Sequence, residues 1–368
     1  MTNPSDLLPE GLEDCLPRSA ARITAAMRAC LDVLDAHGYD RVRPPLLEYE
    51  RSLAGRMDGI EPRKMFRFVD PASLRTLALR ADVTPQIGRI AASSMIDAPR
   101  PMRLAYCGET AIIQASQLDP ARERLQLGAE LVGADTVAAA SEIVIAAIEA
   151  LCAVGLTGIS VDFTLPDLVD TLAGQPSSFD EETLNAIRRE LDTKDAGGLK
   201  AVGGEAFLPL LYATGECDEA LAKLREFDTA GVLESRLDGL THIARRIGTS
   251  ARVTLDPTER HGFEYQSWFG FTIYAEGVRG AAGRGGTYEI GGSGEAATGF
   301  TLYVNRLAEA AGEAESAPMV FLPLGFDEVV AGKLRGAGWR TLAQLSDEDD
   351  AMALGCSHVL KGEQPEEL

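Results

Sequence analysis

Gln126-Leu127-Gly128-Ala129-Glu130-Leu131-Val132-Gly133 is the stretch on which the reading of the fold turns. Alternation at period two puts Gln126, Gly128 and Glu130 on one face of a strand and Leu127, Ala129 and Leu131 on the other. A polar face interrupted by glycine leaves room above the backbone for a small ligand, although a solvent-facing polar stripe satisfies the same pattern. Glu130 is suited to pairing with an amino group.

Upstream, Arg103–Tyr106 reads as the antiparallel partner of Arg124–Val132. Phe66–Val69 and Thr76–Leu79 read as short strands. Tyr39–Leu47 is extended but broken by Pro44-Pro45, which places it at an edge or an interface because proline lacks the ladder N–H. Ile23, Met27, Cys30, Leu31 and Leu34 recur at helical spacing, with Gly38 at the position of a terminating glycine. Downstream, Thr136–Val154 predicts a long helix with Thr136 as its cap, and Ile159–Phe163 predicts a strand. Residues from about 165 to 248 read as a helical insertion. Strands return at Arg252–Leu255 and Phe263–Tyr274, followed by a glycine-dense tract from Gly277 to Gly299 and a closing helix from Phe300. A linker near 310–317 separates a core over 1–310 from a short α/β segment over 318–368, with strands at Met319–Leu324 and Arg340–Leu345 around a helix at Asp327–Gly336. The order predicts an α+β fold, a mostly antiparallel sheet with segregated helices.

The composition agrees with a folded chain: 368 residues, 45% apolar, with a formal charge of −21. Such acidity opposes non-specific nucleic-acid binding. No apolar run reaches membrane-spanning length, and no signal-like core opens the chain, so a cytoplasmic location is expected. Six scattered cysteines and four histidines lack metal-ligand spacing, and neither a phosphate loop nor a strand-linked GxGxxG is present. No metal and no cofactor are expected.

Three further stretches are chemically suggestive. In Leu79-Arg80-Ala81-Asp82-Val83-Thr84-Pro85, Asp82 and Thr84 suit an ammonium or a hydroxyl, and equally a turn or helix cap. Arg260-His261-Gly262-Phe263-Glu264-Tyr265-Gln266 carries no partner for a catalytic triad. In the glycine tract, Arg284-Gly285-Gly286-Thr287-Tyr288-Glu289 precedes Gly299–Leu307, whose Arg306 could reach a phosphate or make a structural ion pair.

Taken in order, these stretches resemble histidyl-tRNA synthetase, a class II aminoacyl-tRNA synthetase, from about Leu8 to Leu307. The resemblance implies a six- or seven-stranded antiparallel sheet flanked by helices, and a dimer formed through the first helix and the proline-bearing strand. Gln126-x-Gly128-x-Glu130 is similar to the strand that holds the histidine amino group. Leu79–Thr84 resembles the LRPEGT element with Asp82 in place of glutamate, and Gly286-Thr287-Tyr288-Glu289 resembles GGRYD, whose tyrosine lines the histidine pocket. It therefore implies a histidine site at Asp82, Thr84, Gln126, Glu130, Tyr265, Gln266 and Tyr288, with Arg122 and Arg306 left from a nucleotide site.

The departures fall on the nucleotide side. Motif 2 of the synthetases, G-x-x-F-R-x-E, reads Gly108-Glu109-Thr110-Ala111-Ile112-Ile113-Gln114 here, with Ile112 for the arginine and Gln114 for the glutamate. An aliphatic side chain cannot stabilise the developing charge of acyl or phosphoryl transfer. His261-Gly262-Phe263-Glu264-Tyr265-Gln266 stands for RGLDYY without its arginine, and Tyr303 replaces a glycine in motif 3. The C-terminal segment resembles only the first half of an anticodon-binding domain, with four basic and nine acidic residues, a poor tRNA reader. A synthetase-like chain so altered resembles the regulatory subunits of ATP phosphoribosyltransferase. That resemblance implies no catalytic residues, a short-form catalytic subunit as partner, a homodimer within a hetero-oligomer, free histidine as effector, and neither tRNA nor membrane binding. The alternative is an active histidyl-tRNA synthetase with a divergent motif 2.

Overall fold

The computed structural model describes residues 7–55, 64–113, 120–174, 179–260, 266–312 and 317–368. Residues up to Gly312 form one compact unit and the remainder a second.

The first unit opens with helix α1 (Pro17–Ala36), which buries Ala26, Cys30 and Leu34. It stops at Gly38, whose φ of +79° suits glycine, while the Tyr39 N–H returns to the Leu34 carbonyl. The expected single extended stretch is two strands in two sheets. β1 (Asp40–Arg41) lies at the edge of the main sheet, parallel to its neighbour. Beyond the prolines, β2 (Leu47–Tyr49) is followed by α2 (Glu50–Ala54). β3 (Arg67–Val69) and β4 (Thr76–Leu79) complete a small sheet with β2, and α3 (Thr84–Ala91) follows.

β5 (Met102–Ala111) and β6 (Glu123–Val132) pair antiparallel over ten residues. Leu127, Ala129 and Leu131 enter the main core while Glu130 faces the other way, as the alternation requires. α4 (Val137–Ala153) is capped by Thr136, whose hydroxyl accepts the Ala139 N–H. After β7 (Ser160–Thr164) come α5 (Leu168–Ala173), α6 (Glu181–Asp192), α7 (Ala196–Ala201), a 3-10 helix at Glu205–Tyr212, β8 (Gly215–Glu216), α8 (Cys217–Phe227) and α9 (Glu234–Ile247). β9 (Arg252–Leu255), β10 (Gln266–Tyr274), β11 (Gly283–Ile290) and β12 (Glu295–Tyr303) then return to the sheet.

Among the described residues the main sheet has nine strands in the order β1-β5-β6-β12-β11-β10-β7-β9-β8. It is antiparallel except at β1/β5 and β7/β9, so it is wider and more mixed than expected. One expectation is corrected: no helix starts at Phe300. β12 continues through Tyr303, and α10 (Val304–Ala310) begins only there. Pairing with both β6 and β11 holds Phe300–Leu302 extended.

The second unit carries β13 (Met319–Leu322), α11 (Glu328–Gly336), β14 (Arg340–Ala343), β15 (His358–Lys361) and β16 (Gln364–Glu367). Its sheet order is β14-β13-β15-β16, with a core of Val320, Leu322, Val330, Ala331, Leu334 and Leu360. Among the described residues, no helix is long and apolar enough to cross a membrane.

Candidate functional site

Strand register builds the site. Glu130 of β6 sits opposite Gly299 of β12, which sits opposite Gly286 of β11, which sits opposite Gly270 of β10. One carboxylate thus faces a floor of three glycines across four strands. The floor needs them: a Cβ on Gly299 would lie 1.6 Å from Glu130 Oε2, and one on Gly286 2.5 Å from the Phe269 carbonyl oxygen. Above it is a narrow cleft of about 20 Å3, lined by Thr84, Glu130, Gln266, Arg284, Tyr288 and Thr301 together with glycine backbone and Phe300; as it stands it has room for about one water, so a larger ligand requires its walls to open.

Glu130 is 1% exposed. Tyr288 Oη donates to Glu130 Oε2 at 2.9 Å. Burial pushes the Glu130 carboxyl up to about 8, opposed by the Tyr288 hydroxyl and reinforced by the charge of Asp82. Tyr106, fully buried beside it, shares a 2.6 Å hydrogen bond with Thr301 Oγ1 and a 3.3 Å contact with Thr84 Oγ1. Burial also raises the Tyr106 hydroxyl well above its ordinary value. Burial thus disfavours the charged form of this carboxyl, which sits within a ring of hydroxyls. A cationic ammonium entering here supplies the charge partner the carboxylate lacks.

The expected site residues separate. Thr84, Glu130, Gln266 and Tyr288 come together in the cleft. Gln126 does not line it, because its Oε1 accepts the Val83 N–H at 3.0 Å and so holds the start of α3. Asp82 stands beside the cleft, its Oδ1 accepting the Thr84 N–H at 3.0 Å and its pKa raised by burial. Tyr265, with His261, lies outside the described residues, as does Gln114. Arg284, Tyr106 and Thr301 belong to the site although the sequence reading assigned them no role. Tyr106 and Thr301 reach the site from β5 and β12, strands on which no site residue was expected, so only the tertiary register brings them in.

The nucleotide side differs. Arg306 donates to the Ala281 carbonyl at 2.9 Å, and its guanidinium lies 4.9 Å from the centre of the Tyr303 ring. Arg124 lies 5.9 Å from the same ring. The ring occupies the space beside both cations, and burial raises its hydroxyl pKa. Arg122 is not part of the cleft: it donates to the carbonyls of Ile112 and Glu10 and stacks over Phe66 at 4.9 Å. Ile112 brings no charge.

A structural network flanks the cleft. Arg80, 4% exposed, donates to the carbonyls of Glu109 at 2.6 Å and Pro44 at 3.1 Å, and to Gln86 Oε1 at 3.2 Å. Gln86 in turn donates to the Pro45 carbonyl at 2.7 Å. The diproline segment is thereby fixed to α3. A larger groove of about 660 Å3 between the end of α1 and α4 includes Arg103 and Glu142, which already satisfy each other through two hydrogen bonds. Among the described residues no cluster of three or more His, Cys, Asp or Glu side chains could hold a metal.

The sheet, the glycine floor and the buried carboxylate define a protein of the class II aminoacyl-tRNA synthetase fold. A family model described as histidyl-tRNA synthetase matches residues 11–307. The ATP phosphoribosyltransferase regulatory subunit of Rhodospirillum centenum is 37% identical, covering 98% of this chain and 96% of its own. That of Paramagnetospirillum magneticum is 37% identical, covering 96% of each. A crystal structure described as an ATP phosphoribosyltransferase regulatory subunit/histidyl-tRNA synthetase from Bacillus halodurans C is similar, with a TM-score of 0.82 at 25% identity over 96% of this chain and 97% of that one. Histidyl-tRNA synthetase from Nostoc sp. PCC 7120 shares the fold, with a TM-score of 0.78 at 16% identity over 96% of this chain and 90% of that one. The chain belongs to the histidyl-tRNA synthetase-like family of ATP phosphoribosyltransferase regulatory subunits.

Proposed function

We propose that this chain is the non-catalytic regulatory subunit of an ATP phosphoribosyltransferase, working with a short-form catalytic subunit at the first step of histidine biosynthesis in the cytoplasm, and that the Glu130 cleft senses free histidine. The observation that carries the non-catalytic reading is Tyr303, whose ring stands beside Arg306 and Arg124 on the nucleotide side. Ile112 supports it, because adenylate formation needs a positive charge where an aliphatic side chain stands. The full-length relatives support the partner.

The amino-acid side supports the effector. Glu130 and Asp82 are carboxyls poised for an α-ammonium, and Tyr288 and Gln266 present a hydroxyl and an amide to an imidazole. Feedback requires that histidine bind two states of the assembly unequally. Exposed Leu46, Leu47, Tyr49, Phe68 and Val69 around the small sheet support self-association of this region into a dimer within the hetero-oligomer.

The test is reconstitution. The isolated chain is expected to form no histidyl-adenylate and to transfer no phosphoribosyl group, and to stimulate the catalytic subunit when added. Histidyl-adenylate made by the isolated chain would overturn the reading.

A further inference from the structure

β11 brings a cation to the cleft. Arg284, Gly286 and Tyr288 alternate onto the cleft face of this strand, and Arg284 sits opposite Thr301 of β12 and Thr272 of β10. Among the described residues 281–288, Arg284 alone keeps contact with solvent. The described side chains lining the cleft include one carboxyl, Glu130, and one guanidinium, Arg284. Such an opposed pair is the charge complement of a small zwitterion that carries an ammonium and a carboxylate on one carbon.

The strand register sets the spacing. Arg284 lies level with Gly128, two strands from β6 and two residues along from Glu130. At about 4.8 Å per strand and about 3.4 Å per residue, the two Cα atoms stand about 12 Å apart. Tyr288 and Gln266 face each other across β11 and β10 at the other end of the cleft, four residues along β11 from Arg284. A ligand whose ammonium meets Glu130 and whose ring meets Tyr288 and Gln266 therefore turns its α-carboxylate toward Arg284 once the walls part.

Arg284 also stands at the border with the nucleotide side. Burial raises the Tyr303 hydroxyl, and Arg284 is foremost among the charges that oppose it. At Tyr274 of β10, burial, Glu259 and Asp162 raise the hydroxyl and Arg284 again opposes them. β11 is the strand between β12 and β10, so this guanidinium lies where the amino-acid pocket ends and the Tyr303 ring begins. The resemblance to the synthetases does not supply it, since Arg284 precedes the segment that resembles GGRYD.

We propose that Arg284 is the specificity-determining residue of the cleft, binding the α-carboxylate of a free amino acid and so distinguishing histidine from analogues in which that carboxylate is reduced or missing. The proposal rests on the reading of the cleft as the histidine site, and it assigns the end of the ligand that Glu130, Tyr288 and Gln266 leave unmatched.

The experiment is calorimetric titration of the full chain with histidine, with histidinol, whose carboxylate is replaced by a hydroxymethyl group, and with histamine, which has none. The wild-type chain should bind histidine about tenfold or more tightly than either analogue. Arg284→Gln should weaken histidine binding about tenfold or more while leaving both analogues within about twofold of wild type, so that the preference disappears. Arg284→Lys, which keeps a charge without the planar fork, should retain part of the preference. An arginine that only supports the fold would weaken all three ligands alike, and an unchanged ratio of affinities in Arg284→Gln would overturn the proposal. If Arg284→Gln does not fold, the wild-type ratio and Arg284→Lys carry the test. Equal affinity of the wild-type chain for histidine and histidinol would overturn the carboxylate contact while leaving the cleft reading intact. A wild-type chain that binds none of the three would overturn both.

Discussion

The proposed amino-acid half and nucleotide half of the site differ in what their side chains offer. On the amino-acid half, Glu130, Tyr288, Thr84 and Gln266 still converge over a floor of glycines that no other residue fits. On the nucleotide half, Tyr303 lies against Arg306 and Arg124, and Ile112 stands where the resemblance to the synthetases implies a phosphate-binding arginine. One half keeps a charge-poor, buried receptor for a small cation. The other replaces open space and positive charge with an aromatic ring and an aliphatic chain. On the proposed function the reaction is lost and recognition kept, and the two can separate because they depend on different strands and side chains.

The sharpest challenge to the amino-acid half is Gly299→Ala. Its Cβ would sit 1.6 Å from Glu130 Oε2 and 2.8 Å from the Ala129 carbonyl oxygen, so the sheet or the carboxylate must shift. Thermal or denaturant unfolding should show a loss of about 1–3 kcal/mol, together with loss of histidine inhibition in the complex. Next comes Glu130→Ala, which removes the partner of the ammonium and should weaken histidine binding by roughly tenfold or more in calorimetry. An inhibition curve of the Glu130→Ala complex that overlays the wild-type one would remove this chain as the histidine sensor.

Tyr303→Gly probes the other half. Removing the ring should admit ATP weakly, seen as quenching or displacement of a fluorescent nucleotide, yet yield no adenylate because Ile112 is unchanged. Adenylate formation by this single variant would mean that the ring alone separates the two activities.

A further test concerns pH. The Glu130 carboxyl titrates at about 8 in the fold against an ordinary value of 4.5. A raised carboxyl pKa means that the native state binds the extra proton between those values. The stabilisation is complete below about 4.5 and is lost as pH rises through about 8. The unliganded chain should therefore lose stability between pH 5 and 8 by a component that Glu130→Gln abolishes, as followed by denaturant midpoints.

Much of this comparison was legible in the residues. Period-two alternation placed Glu130 opposite the core, and helical spacing with Gly38 marked the end of α1, because both signals depend on local geometry alone. Other features depend on tertiary partners. Phe300 reads as the start of a helix until β6 and β11 are seen to pair with it from both sides. Gln126 was placed on the correct face, but its amide is used by the Val83 N–H. The role of Arg284 was hidden because a single arginine in a glycine tract has no periodic signature.

The most direct test is calorimetric titration of the isolated chain with histidine and, separately, with ATP. The account predicts a saturable heat for histidine, abolished by Glu130→Ala, and none for ATP. Binding of ATP by the wild-type chain, or no binding of histidine, would contradict it.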